Sequence, residues 1–75
     1  MDAEQIGEAW ARTEARLPAG WLLDSLRCAS ESLAPADRSD DWVAVAIGPD
    51  GAERVHRAPD ALAALAGLAR DFEPA

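Results

Sequence analysis

Seven consecutive uncharged residues, Trp42 to Gly48, run straight into Gly48-Pro49-Asp50-Gly51, and no other feature of the chain restricts its fold as strongly. Val43, Val45 and Ile47 alternate with Trp42, Ala44 and Ala46, which is the period of a β-strand. The lack of charge predicts a central strand. The tetrad places Pro49 at a φ-restricted first corner and Gly51 where φ turns positive, the chemistry of a type I turn with a G1 bulge. A hairpin is therefore predicted, returning through Glu53 to Arg57.

The flanks fit around this hairpin. Ile6, Trp10, Thr13 and Leu17 recur at helical steps, with Glu4, Glu8, Arg12 and Glu14 elsewhere on the surface, so residues 2–16 read as a helix supported by a Glu8–Arg12 pair. Pro18, Ala19 and Gly20 end it. Trp21 to Ser30 alternates imperfectly and reads as a strand once a bulge is allowed near Leu23 or Asp24. Glu31 to Asp41 follows neither period and reads as a loop. Pro59 suits a first helical turn, and Leu62, Leu65, Ala66, Ala69 and Phe72 trace one face, so a second helix is predicted over residues 59–72. With Ala58 before it, that helix is expected to start without a side-chain cap, at a cost of about 1 kcal/mol.

The fold class that follows is α+β: a three-stranded antiparallel sheet between an N-terminal and a C-terminal helix, in the order α-β-β-β-α, with both helices on one face. A chain of 75 residues has room for one core, so residues 1–75 read as a single small domain. Such a core rarely supplies more than about 3–5 kcal/mol, which favours burying further apolar surface in a homodimer.

Charge narrows the function. Fourteen Asp and Glu stand against seven Arg and no Lys, giving a net charge of -7 and a pI near 4.4. This opposes binding to nucleic acid or to an anionic membrane. The single cysteine, Cys28, excludes an internal disulfide and a multi-thiolate metal site. No basic start leads into an apolar segment, and no stretch has the roughly 20 apolar residues a membrane span requires, so a cytoplasmic protein is expected. The 18 alanines and absent lysine suggest a bacterial or phage genome of high GC content.

The run Trp42-Val-Ala-Val-Ala-Ile-Gly-Pro-Asp-Gly, followed by Glu53-Arg-Val-His-Arg and Pro59-Asp-Ala-Leu-Ala-Ala-Leu, resembles the double-stranded RNA-binding domain in topology. Residues 42–72 also resemble HicB-type antitoxin domains. The first resemblance implies a lysine cluster opening the final helix, whereas Pro59, Asp60, Ala63 and Ala64 stand at the matching positions. The second implies a Ser or Thr cap with paired acids, and this chain has Ala58 and Asp60 alone. The likeness therefore carries over a fold and no site. Pro18-Ala19-Gly20-Trp21 is similar to an element of MbtH-like proteins, without the accompanying Trp-Pro pattern.

No catalytic constellation emerges, and the protein is expected not to be an enzyme. Cys28 and His56 are the sole thiol and imidazole, but no motif joins them; they read as a small core residue and a solvated strand residue. Asp37, Asp40 and Asp41 lack the spacing of a calcium loop. Arg54, His56 and Arg57 are expected to pair with Asp50, Glu53 and Asp60 across strands. No cofactor, metal or small-molecule substrate is expected. By strand parity Trp21, Trp42, Ala44 and Ala46 fall on a sheet face opposite Val43, Val45 and Ile47, and that face is expected to be open. They are the expected contact set of a self-associating protein–protein interaction module, with Ala63 and Gly67 of the final helix as the alternative surface. A second expectation is a regulator of antitoxin or inhibitor type, whose acidic loop Glu31 to Asp41 and N-terminal helix acids engage a basic protein or mimic nucleic-acid phosphates.

Overall fold

The computed structural model describes residues 3–31, 36 and 39–73. Helix α1 spans Ala3–Arg16, strands β1, β2 and β3 span Leu22–Cys28, Trp42–Ile47 and Glu53–Ala58, and helix α2 spans Ala61–Asp71. The fold is α+β in the order α-β-β-β-α, which is the topology the sequence resembles. The strands form one antiparallel sheet in the order β1-β2-β3, so β2 is central as its uncharged sequence predicts. Most of the expected loop Glu31 to Asp41 lies outside the described residues. Its base is closed by Ala29 N–H, which donates to Asp41 O at 2.7 Å.

The bulge anticipated in β1 falls at Asp24, where the register shifts between Leu23 and Ser25. One extra residue there lets Leu23 and Leu26 both reach the helix side, where Leu23 is buried and Leu26 packs against the core. Leu22, before the bulge, is left on the other side and is 67% exposed.

The two faces of β2 are reversed from the sequence expectation. Ala44 and Ala46 are fully buried with Leu23, Ala58, Ala64, Leu65 and Leu68, and Trp21 and Trp42 pack against this cluster. Val43, Val45 and Ile47 therefore face away from the helices. The physical reason is volume: α2 brings Leu65 and Leu68 down onto the sheet, and large side chains from a helix seat best over small ones on a strand. The two alanines let α2 approach closely.

Two local details also differ. The turn after β2 has its corners at Asp50 (φ 59°) and Gly51 (φ 78°), with Ala52 N–H donating to Pro49 O at 3.2 Å. Both corners in the left-handed region make a primed turn, whose twist matches the flanking strands, so Pro49 precedes the corners instead of occupying the first. Gly51→Val should then cost about 1 kcal/mol or more, because a β-branched residue resists positive φ. Urea denaturation would show it, and an unchanged midpoint would contradict this turn. The second detail is the start of α2. Pro59 stays outside the helix and Asp60 caps it, its Oδ1 accepting from Ala63 N–H at 2.8 Å. The uncapped start expected behind Ala58 does not occur.

Candidate interaction surface

Helix α1 packs largely on α2, and α2 lies across β2 and β3, so one side of the sheet is roofed. From β3, Arg54, His56 and Ala58 share the register rows of Ala46, Ala44 and Trp42 and turn toward that roof. Arg54 lies over the Phe72 ring, 5.6 Å from its centroid, and Phe72 meets Trp21 edge to face at 4.8 Å. His56 Nδ1 donates to Asp71 Oδ2 at 2.9 Å while its ring lies against Gly67. These contacts lock β3 to α2 on the inner side.

On the outer side the rows are Leu22–Ile47–Glu53, Ser25–Val45–Val55 and Arg27–Val43–Arg57. Val45 is already buried between its neighbours, whereas Leu22 at 67% and Val55 at 51% are the exposed large hydrophobic residues among those described. Arg27 and Arg57 stand at one end of this side and Glu53 at the other. Arg57 is anchored, its Nε donating to Asp41 Oδ2 at 3.2 Å and its Nη2 to Ser39 Oγ at 3.1 Å.

The sequence-derived contact set is thus placed inward. Ala44 and Ala46 are core, and Trp21 and Trp42 are half-buried against it. Ala63 is half-buried and also packs on the core. Gly67 is buried beneath His56 and offers no strip to a second element. The surface that sequence reasoning missed is the Leu22, Val55 and Glu53 side. Its signal is the β2 alternation itself, which a ranking by hydrophobicity reads with the valine face inward.

The other candidates resolve by position. Cys28 and His56 sit on opposite edge strands with β2 between them, about 10 Å apart or more, and cannot share a proton. Ser30 Oγ lies 3.1 Å from Cys28 Sγ. Asp37 lies outside the described residues, Asp40 is exposed, and no cluster of three metal-ligating residues occurs among those described. The expected partners of the basic cluster are replaced: Arg57 pairs with Asp41 and His56 with Asp71. Glu8 and Arg12 form no ion pair, and Arg16 meets Glu73 at 3.5 Å instead. Arg12 and Arg16 line a shallow groove of about 250 Å³ between the helices, floored by Ala9, Leu62, Ala66 and Ala69. No described helix is long and apolar enough to cross a membrane. Comparison with protein-family models, with curated proteins and with solved structures gave no significant match.

Proposed function

We propose that the protein is a small, acidic, non-catalytic protein–protein interaction module of the bacterial cytoplasm, acting through the unroofed side and outer edge of its sheet. The observation that carries this reading is the exposure of Val55 on an edge strand, with Leu22 exposed on the same side. Apolar side chains in that setting gain most by being covered. A nucleic-acid partner is disfavoured: at the start of α2, where a phosphate would meet free N–H groups, the Asp60 carboxylate already accepts from Ala63. The antitoxin or inhibitor reading has less support, because of the acids it invokes Asp41 is already engaged by Arg57 of the same chain.

Site-specific photo-crosslinking in the native cell tests the reading. A photoreactive residue at position 55 should give protein adducts, whether to a second copy or to a foreign protein, while the same group at exposed Ala66 on α2 should not. No adducts at position 55, or equal yields at both positions, would overturn it.

A further inference from the structure

The two edges of the sheet are not equivalent. β1 is interrupted by its bulge at Asp24, a device that kinks a strand and spoils it as a template. β3 pairs with β2 from Glu53 to Ala58 without a register shift, and it contains no proline. Its outer edge is therefore straight and continuous.

The phase of its hydrogen bonds follows from one contact. Gly48 N–H donates to Ala52 O at 2.7 Å, and in an antiparallel pair hydrogen-bonded and non-bonded positions alternate. Arg54, His56 and Ala58 accordingly exchange bonds with β2, and the amides of Glu53, Val55 and Arg57 point outward. Among the described residues, no backbone group beyond the sheet bonds Glu53 or Val55.

We propose that this edge receives the β3 strand of a second copy of the chain, antiparallel and centred on Val55, so that two three-stranded sheets become one continuous sheet. This rests on the interaction reading above. Val55 opposite Val55 places outward amides against outward amides, as the ladder requires. It also sets Glu53 opposite Arg57 twice, once on each side of the two-fold axis, on the unroofed side where the half-exposed valines would cover each other. The Arg57 guanidinium keeps its bonds to Asp41 and Ser39, and its fixed positive charge attracts the Glu53 carboxylate set opposite it. A slip of two residues puts Val55 against Glu53 or Arg57 and removes both ion pairs, so the Glu-x-Val-x-Arg order selects its own register. On the roofed side Arg54 would stand opposite His56, but each is drawn to its own helix, by Phe72 and by Asp71.

Sedimentation of the full chain tests this. The wild type should be a dimer in the micromolar range. Glu53→Arg sets like charges opposite each other twice, and should raise the dissociation constant about tenfold while circular dichroism shows an unchanged fold. Adding Arg57→Glu to it should bring the constant back to within about threefold of wild type. A wild type that remains monomeric at high micromolar concentration would overturn the dimer, and a dimer indifferent to Glu53→Arg would overturn the register. Neither failure touches the interaction module itself. Foreign-protein adducts from position 55 would keep that reading while removing self-association, and the absence of any adduct would remove both.

Discussion

Leu65→Ala is expected to leave a large fraction of the protein unfolded in dilute buffer at room temperature. Leu65 and Leu68 are the largest fully buried side chains, and they fill the space that Ala44 and Ala46 leave under α2. Leucine-to-alanine changes at such sites cost about 2–5 kcal/mol, from the lost burial and the cavity left behind. A single core of this size supplies only about 3–5 kcal/mol in total. The same residue's carbonyl accepts from the buried Thr13 hydroxyl at 3.3 Å, so a shift of α2 would also unseat α1. Urea denaturation followed by circular dichroism measures the loss. A loss below about 1 kcal/mol would contradict the placement of α2 on the alanine face of β2.

Gly67→Ala should destabilise the protein by about 1–2 kcal/mol, although alanine is the better helix former. An added Cβ would stand inside the van der Waals surface of the His56 ring, which is held from its other side by Asp71. The ring can move away only by giving up that hydrogen bond. With His56→Ala in the background the obstacle is gone, and Gly67→Ala should then stabilise by up to about 1 kcal/mol. A destabilisation of the same size in both backgrounds would show that Gly67 answers to something other than His56.

These two sites show where the sequence could and could not be read. The element boundaries were legible because they depend on local chemistry: the step of Ile6, Trp10 and Thr13, the stop at Pro18, the alternation of β2, the flexible Gly51. The orientation of β2 was not, because it depends on what lies above it. Ranking by hydrophobicity puts Val43, Val45 and Ile47 inside, whereas packing volume puts Ala44 and Ala46 there, since Leu65 and Leu68 descend from α2. That reversal moved the candidate surface from the tryptophans to Leu22 and Val55. The cap at Asp60 was hidden by counting Pro59 as helical. The bulge at Asp24 was visible, but its consequence, a spoiled edge on β1 and an intact one on β3, requires the strand order. Likewise Glu53 and Arg57 read as members of cross-strand ion pairs within the chain until the register shows them two positions either side of Val55 on one edge.

Amide hydrogen exchange at two protein concentrations tests the edge most directly, because it reads each residue of β3 separately. In dilute solution Glu53 and Val55 should exchange as open amides while Arg54 and His56 are protected by β2. In concentrated solution all four should be protected, giving an alternation that disappears as the second copy adds its strand. Exchange at Glu53 and Val55 that does not change with concentration would contradict the account.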